Sequence, residues 1–406
     1  MKLLFVTGLY PKKYIEYFRD QSYGNVQNAP NSFQWAVIDG LEKNGVDYSI
    51  VSYPFIPSFP INYKSPYTQS FNIEYEGKLI GRSARFCTVL ALKVISIQRS
   101  LERYIASWLN EIYSHNSDEK VIVLTYSDYS PFLNAVRKIK AKYPKVILAS
   151  IITDMPDDMM HFSNNKHLIK RIQCHFEAKK VRSLHKYIDK FILLTSAMTE
   201  RIPESYGNYC VVEGIAIPKE WEDSEQSTVL KSVLYAGTLQ EFSGVRELIK
   251  AFTLTTSKDY RLVICGKGAL TSFIEDAARH DERIVYKGMV SHEEVLKLQS
   301  EATVLINPRT PDCIITRYSF PSKTMEYLIS GTPMIGYKLE GMPDEYFNYF
   351  YTIDELGIKS LSNKLDEVLS LSSRTLNLKA FEAYNFIMEN KTSAKQVAKI
   401  LDFIKK

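Results

Sequence analysis

The stretch INPRTPDCIITRYSFPSKTMEYLISGTPMIGY, from Ile306 to Tyr337, holds two strands and the helix between them in thirty-odd residues. An apolar strand ends at Asn307-Pro308, and a polar loop with Arg309 and Arg317 follows. A helix then starts at Pro321 and stops at Gly331. Proline at the first helical position and glycine just past the last is the expected asymmetry. Met334 to Tyr337 resumes as a strand, so the segment reads as one β-α-β step of a parallel sheet. Lys323 and Glu326, three apart, share one helix face. The open N–H groups and dipole of the helix start attract phosphate. Lys323 on a phosphate and Glu326 on ribose hydroxyls would together suit a nucleoside diphosphate. Taken alone, the window fits an exposed lysine–glutamate pair on an ordinary helix equally well.

The same alternation continues on both sides. Ser232 to Ala236, Leu262 to Cys265, Val304 to Ile306 and Met334 to Tyr337 are strands of the second half. Val245, Leu248, Ile249 and Phe252 recur at helical spacing between them, as do Val397, Ile400, Leu401 and Ile404 at the end. In the first half, Leu3 to Thr7, Tyr48 to Ser52, Val121 to Thr125, Val146 to Ile152 and Phe191 to Thr195 have the near-continuous apolar character of buried parallel strands. A helix from Phe33 to Lys43 is closed by Asn44-Gly45. Gly8 to Pro30 reads as a polar loop, and Ile217 to Thr228 as a linker. The fold class is therefore α/β, with two doubly wound, Rossmann-like domains facing a central cleft. Residues 1–217 form the first domain, 218–394 the second, and the helix 395–406 returns to the first. Ligand belongs in the cleft, outside the carboxyl ends of the strands.

Composition narrows the function classes. The chain has 406 residues, 45% apolar and 24% charged, and a net charge of +5, which excludes disordered and coiled-coil classes and argues against nucleic acid. Cys87, Cys174, Cys210, Cys265 and Cys313 show no C-x-x-C spacing, so neither a zinc site nor a disulfide framework is expected, and a reducing cytoplasm is. The start has no signal-peptide pattern. The longest apolar run, Val89 to Ile97, is broken by Lys93 and reads as a buried helix. Arg99, Arg103 and Trp108 after it leave an interfacial helix as the lesser alternative. The positive charge is concentrated in residues 161–190, where eight Lys or Arg face only Glu177 and Asp189 and where His161, His167, His175 and His185 also fall. With Leu168, Ile169, Ile172, Phe176, Val181, Leu184 and Ile188 as apolar face, this predicts a basic amphipathic helix. Its Lys166, Lys170, Arg171, Lys179, Lys180 and Arg182 would meet an anionic membrane or the acceptor on it. A solvated helix face is the alternative.

Four stretches together resemble the retaining family-4 glycosyltransferases of the GT-B fold: VLYAGTLQEFSGVRELIKAF (Val233 to Phe252), VICGKGAL (Val263 to Leu270), YKGMVSHEEVLKLQSEATVLINP (Tyr286 to Pro308) and FPSKTMEYLISGTP (Phe320 to Pro333). The last is similar to the form found in bacterial polysaccharide clusters. The resemblance implies a nucleotide-sugar donor, a UDP-sugar, and transfer to a glycan or lipid-linked glycan hydroxyl in cell-surface polysaccharide synthesis. It implies a cytoplasmic enzyme at the inner face of the plasma membrane. No metal and no cofactor beyond the nucleotide sugar as co-substrate are expected, since the leaving diphosphate itself can act as base.

Carried over by position, Glu326 holds the donor ribose, Gly237 makes the tight turn beside the diphosphate, and Met289 and Val290 meet the base. Gly266, Lys267, Arg309, Ser319, Phe320, Pro321 and Ser322 complete the donor-binding set with Thr238, Ser243 and Tyr318. Those last three depart from the pattern, standing where the family has arginine, lysine and glutamate. Lys323, Arg317, Arg309 and Lys267, in that order, are the cations left to compensate the diphosphate. Asp154, closing a strand of the first half, joins Lys323 and Arg317 as the expected catalytic set. Its alternative is a loop cap. The neighbouring Asp157 and Asp158 suggest a metal site of the other glycosyltransferase fold, which the two-domain plan excludes. Tyr23, Gly24, Asn28 and Asn31 lie in the loop that replaces the family's double glycine. A UDP-sugar 2-epimerase of the same fold is one alternative. A non-catalytic partner subunit is another, motivated by Tyr318, Thr238 and Ser243.

Overall fold

Strands buried on both faces form parallel sheets, because helices must cover each side. In a computed structural model of the chain, which describes residues 1–23, 28–155, 168–221 and 230–406, the strands collect into two such sheets. Each sheet belongs to one compact unit, the first of residues 1–213 with 393–406 and the second of 214–392.

The first unit holds β1 (Lys2–Thr7), β2 (Tyr48–Ser52), β3 (Phe71–Tyr75), β4 (Lys78–Ser83), β5 (Val121–Tyr126), β6 (Ile147–Ile152), β7 (Lys190–Leu193) and β8 (Tyr209–Val211). They lie in the order β3-β4-β2-β1-β5-β6-β7-β8. All neighbours are parallel except the hairpin β3–β4. That hairpin, which the sequence pattern does not announce, turns on Glu76 and Gly77 at φ 47° and 81°, the two positive values of a tight hairpin turn. The helices of this unit are α1 (Ile15–Gln21), α2 (Asn28–Lys43), α3 (Leu90–His115), α4 (Ser130–Lys140), α5 (Leu168–His185) and the C-terminal helix (Ser393–Lys405).

Three expectations need correction here. The polar loop expected from Gly8 to Pro30 contains α1, because Phe18 buries itself edge-on to Tyr10 and Phe71, with centroids 5.2 and 5.8 Å away. The apolar run Val89 to Ile97 opens α3, but it is not a buried segment throughout: Ile97 is buried, while Leu90, Leu92 and Ile95 stand exposed. The apolar face expected along α5 divides likewise, with Val181 and Leu184 buried and Ile172 and Phe176 exposed. His185, counted with the basic segment, is buried, its Nε2 2.9 Å from Oδ2 of Asp128. Lys179 and Arg182 are exposed and Lys180 half-buried. Gly24, residues 156–167 with Lys166, Asp157 and Asp158, and the side chains of Asn28, Leu168, Ile169, Lys170 and Arg171 lie outside the described residues. Among the described residues no helix is long and apolar enough to cross a membrane.

The C-terminal helix buries Val397, Ile400, Leu401 and Ile404 and closes on α2 at Gly40. A Cβ there would lie 2.3 Å from Val397 Cγ2 and 2.4 Å from the Ser393 carbonyl. Beside this crossing the buried carboxylate of Asp39 accepts hydrogen bonds from Tyr75 and Ser393 and pairs with Lys43 at 2.8 Å. Burial alone would raise the Asp39 pKa, but the bonds from Lys43, Ser393 and Tyr75 outweigh it and hold the group below the usual carboxylate range. A depressed carboxylate stabilises the fold above its unfolded pKa, and that contribution is lost as pH falls through the folded value.

The second unit is parallel throughout: β9 (Lys231–Ala236), β10 (Tyr260–Cys265), β11 (Ile284–Gly288), β12 (Val304–Asn307), β13 (Met334–Tyr337) and β14 (Tyr351–Ile353), in the order β11-β10-β9-β12-β13-β14. Its helices are α6 (Val245–Thr253), α7 (Thr271–His280), α8 (His292–Glu301), α9 (Ser322–Leu328), α10 (Ile358–Ser370) and α11 (Ser373–Asn390). The strand order reverses between β9 and β12, the switch point where such sheets leave a crevice for ligand. Of the expected linker, Trp221 packs edge-on to Phe381 and Tyr384 of α11, at 5.2 and 5.1 Å. Residues 222–229 lie outside the described residues.

Replacing Asp39→Asn should lower unfolding stability by about 1–3 kcal/mol at pH 7. The difference from the parent should begin to shrink as pH falls below about 4, the unfolded carboxylate value, and disappear only below the depressed folded value, where the parent carboxylate is itself protonated. Urea titrations of both proteins from pH 7 downward check this.

Candidate functional site

The strand ends around the β9–β12 switch point are held by backbone segments that approach too closely for side chains. After β9 the Gly237 amide donates to the Cys265 carbonyl at 2.9 Å, and the Gly266 amide to Gly288 at 2.8 Å, so three successive strand ends are laced together. Gly266 has φ 133°, and a Cβ on it would stand 1.8 Å from the Gly237 carbonyl oxygen. Gly244, at φ 73° before α6, approaches the Pro308 carbonyl so closely that a Cβ would lie 2.0 Å from it. Glycine is the residue that takes both the positive φ and the close approach without strain.

Lys323 enters this corner from α9. Its Nζ donates to the Tyr235 hydroxyl at 3.1 Å and lies 4.2 Å from that ring's centroid. A Cβ on Gly237 would fall 1.6 Å from the same nitrogen, so the amine occupies the space that glycine leaves open. The Tyr235 hydroxyl donates onward to the Thr238 carbonyl at 2.8 Å, which leaves its lone pairs for Lys323. One turn along α9, the buried Tyr327 hydroxyl lies 3.3 Å from the Ala236 amide and 3.4 Å from its carbonyl. Burial pushes that hydroxyl well above the ordinary tyrosine range. The lysine and the tyrosine together seat α9 across the end of β9.

Glu326 faces a different partner. Gln299 of α8, fully buried, donates its side-chain amide to Glu326 Oε1, and its backbone carbonyl accepts from Thr332 at 2.7 Å. Among the described residues no ion pair joins Lys323 and Glu326, so the surface lysine–glutamate pair left open by the sequence is not formed. The helix that carries them spans Ser322–Leu328, with Pro321 just before it and Gly331 at φ 85° beyond its end.

The remaining expected residues divide. Thr238 is exposed and offers its carbonyl to Tyr235. Lys267 is exposed beside Gly266, and Met289 and Val290 follow the end of β11 with Met289 exposed. Arg309 donates to the Ser319 hydroxyl at 3.2 Å and lies 6.0 Å from the Phe242 ring. Arg317 pairs with Glu340 at 3.5 Å. Ser243 is buried and its hydroxyl donates to the Gln240 carbonyl within the same turn. Tyr318, Phe320 and Pro321 are buried, Phe320 edge-on to Tyr346 at 5.3 Å, and Ser322 is exposed. In the first unit, Asp154 is exposed beyond β6 and accepts from Thr153 at 3.1 Å, and Asn31 accepts from the Tyr10 amide at 2.8 Å. Among the described residues no group of three or more His, Cys, Asp and Glu could hold a metal ion.

Sequence reasoning missed Tyr235, Tyr327 and Gln299. The signal for Gln299 was a polar residue at the i+4 position from Val295, in phase with the apolar side of α8. Tyr235 and Tyr327 sit in otherwise apolar runs and read simply as core.

The arrangement sets a cation over a glycine turn and a carboxylate one helical turn deeper. Residues 231–370 match the family model described as Glycosyl transferases group 1. No curated protein matches the chain in sequence. Among solved structures, the chain is similar to a sucrose-phosphate synthase from Thermosynechococcus elongatus at 12% identity and TM-score 0.66, covering 100% of this chain and 98% of that one. It is similar to a mutant of S. aureus TarM in complex with fondaparinux, alpha-GlcNAc-glycerol and UDP, at 11% identity and TM-score 0.62 over 100% of both chains. Anabaena Alr3699/HepE in complex with UDP and glucose is a third, at 11% identity and TM-score 0.58, covering 100% of this chain and 99% of that one. The two Rossmann-like units have the GT-B fold, and residues 231–370 of the second carry the match to the group 1 glycosyl transferases.

The two close glycines separate by what they touch. Gly237→Ala meets the flexible end of Lys323 and should fold with a thermal midpoint near the parent's. Gly266→Ala meets backbone at a positive φ and should cost more than about 3 kcal/mol. Calorimetry of both variants checks the contrast, and equal midpoints would refute it.

Proposed function

We propose that the protein is a retaining glycosyltransferase that moves a sugar from a UDP-sugar to a hydroxyl of a glycan or lipid-linked glycan in cell-surface polysaccharide synthesis. The observation that carries this reading is that one family match spans Gly237, Lys323, Glu326 and the switch-point crevice together. UDP is the nucleotide of choice because two structural neighbours were solved with it.

In this reading the donor diphosphate lies against the turn at Gly237. Lys323, already held there by Tyr235, neutralises the charge that grows on the leaving group. A preorganised cation acts this way at no cost of reorganisation. Glu326, aimed by Gln299, takes the ribose hydroxyls, and the exposed backbone after β11 at Met289 and Val290 meets the base. Arg309 and Lys267 stand in reserve around the phosphates. Arg317 is the weakest member of the set, because reaching a ligand means leaving Glu340. Asp154 of the first unit is the proposed contact to the acceptor or the transferred sugar. The departing diphosphate oxygen takes the acceptor proton on the face of attack, so neither a protein nucleophile nor a metal is required. The five unbridged cysteines fit a cytoplasmic enzyme.

A non-catalytic partner subunit is the second reading, favoured by Ser243 and Thr238 standing where the family places phosphate cations. Release of UDP from a panel of UDP-sugars, with and without glycan acceptors, separates the two. Acceptor-dependent release supports transfer, and failure to bind any nucleotide supports the partner subunit. A UDP-sugar 2-epimerase would turn over without acceptor. Lys323→Ala should lower kcat by about 10²–10³-fold. Glu326→Ala should weaken UDP binding at least about tenfold, the worth of a hydrogen bond to a charged group; unchanged affinity would remove Glu326 from the ribose.

A further inference from the structure

The first unit carries an apolar surface that the donor reading does not use. Ile61 is 70% exposed, Leu90 58%, Leu92 54% and Ile95 47%, each a large aliphatic side chain on the outside of a folded unit. They are neighbours in space. Phe59 pairs with Val89 and its amide donates to the Thr88 carbonyl at 3.1 Å, which sets the 56–62 loop beside the start of α3. The Tyr23 amide donates to the Asn62 carbonyl at 3.1 Å, and Lys64 lies 5.7 Å from the centroid of the exposed Tyr23 ring. Tyr67, also exposed, stacks under the Arg85 guanidinium at 5.4 Å. Along α3, Ile97, Leu101, Ile105 and Leu109 form the buried stripe. Leu92, Ile95, Arg99 and Arg103 form an exposed one on the other side, apolar in its first two turns and basic beyond.

The stretches that build this surface carry charge of one sign, with the exposed Asp20 of α1 beside them, where the Lys64 amide donates to the Gln21 carbonyl at 2.9 Å. Residues 48–73 and 77–101 contain no Asp or Glu at all, while they hold Lys64, Lys78, Arg82, Arg85, Lys93 and Arg99. Of these, Lys78 is paired with Glu42 at 2.9 Å and the half-buried Lys93 donates to the Ile56 carbonyl. Glu102, the first acid after them, is paired with Lys138 at 2.8 Å. Position adds a third point. The crossover from β4 to β5 runs α3 against the strands, so its first turns stand at the carboxyl edge of the sheet, where folds of this kind take their ligands.

We propose that the first unit docks on an anionic lipid bilayer through the 56–67 loop and the first turns of α3. Ile61, Leu90, Leu92 and Ile95 enter the headgroup layer, and Lys64, Arg85 and Arg99 meet lipid phosphates. Apolar tips interleaved with cations, from stretches that hold no acid of their own, suit a headgroup layer, which accepts both. A protein partner would favour an apolar centre depleted of charge. The sequence favours α5 for membrane contact and keeps an interfacial helix at Val89 to Ile97 only as the lesser alternative, so the two surfaces compete as sites, and the inference does not need the donor reading to hold.

The test is co-sedimentation of the full chain with vesicles of phosphatidylcholine alone and with about 30% phosphatidylglycerol added, a content that gives a clearly negative surface. The parent should sediment with the anionic vesicles and remain in solution with the neutral ones. Ile61→Ser with Leu92→Ser, and separately Arg85→Glu with Arg99→Glu, should each weaken binding at least about tenfold, with unchanged circular dichroism and thermal midpoint. Phe176→Ser with Lys179→Glu on α5 should bind as the parent does. Glu326→Ala should also sediment normally, which keeps this result separate from any failure of donor binding. The proposal is overturned if the parent ignores anionic vesicles, or if the α5 pair abolishes binding while the α3 pairs do not. It is overturned equally by a dimer in analytical ultracentrifugation that the Ile61 and Leu92 substitutions dissolve, since a second copy would then own the surface.

Discussion

The second unit depends on the space left by two absent side chains. At Gly266 the missing Cβ lets one strand end lie directly on the backbone of the next, 1.8 Å from where that carbon would be. At Gly237 the missing Cβ is replaced by the amine of Lys323. The first absence fixes the spacing of the β9, β10 and β11 ends, and the second fixes where a positive charge stands relative to them. A lysine on a seven-residue helix would ordinarily swing through several rotamers. Here the Tyr235 hydroxyl and ring hold its amine above the glycine floor, so part of the entropy of positioning it is lost on folding rather than on binding.

That placement bears on the departures from the family pattern. Ser243 cannot serve an anion while its buried hydroxyl is committed to the Gln240 carbonyl, and Thr238 presents its carbonyl to Tyr235 instead of a cation to the crevice. The turn itself is therefore poor in positive charge, and the cation that stands over it comes from α9. Charge compensation from the helix that follows β12 requires that helix to be seated accurately on β9, which is the task of Tyr327 against Ala236. A substitution at Tyr327 thus bears on the position of a charge it never touches.

Much of the fold was legible. The central strands β1, β2, β5, β6, β7, β9, β10, β12 and β13 follow from apolar runs bounded by turn formers, and the two Rossmann-like sheets from their alternation with helices. The strands β3, β4, β8, β11 and β14 were not read from such runs. The spacing of Lys323 and Glu326 left a ligand pair and an ordinary surface pair equally open, and the structure gives them separate partners in Tyr235 and Gln299. What was hidden was hidden for physical reasons. Tyr235 and Gln299 act by the polar end of a side chain whose body is buried, and a hydrophobic pattern registers only the body. The helix α1 is held by an aromatic cluster whose members Phe18 and Phe71 are more than fifty residues apart, beyond any local window. The β3–β4 hairpin rests on Glu76 in a left-handed conformation, which non-glycine residues adopt only uncommonly.

Charge read along a chain differs from charge on a surface, and the first unit shows how. The basic reading of residues 161–190 takes in His185, which is buried on Asp128, and its sum counts Lys190, which lies 4.9 Å from the Phe403 ring. Both subtract from the face that the sum advertised. Around the start of α3 the opposite happens. The cations there are scattered through about fifty residues and never make a dense window, yet acids are missing from most of that span. The Phe59–Val89 and Tyr67–Cys87 bridges bring those residues into one neighbourhood. The field at a surface is set by which signs are absent nearby as much as by which are dense in sequence. An acid-free stretch that returns on itself is therefore the stronger sign of a face that meets negative charge.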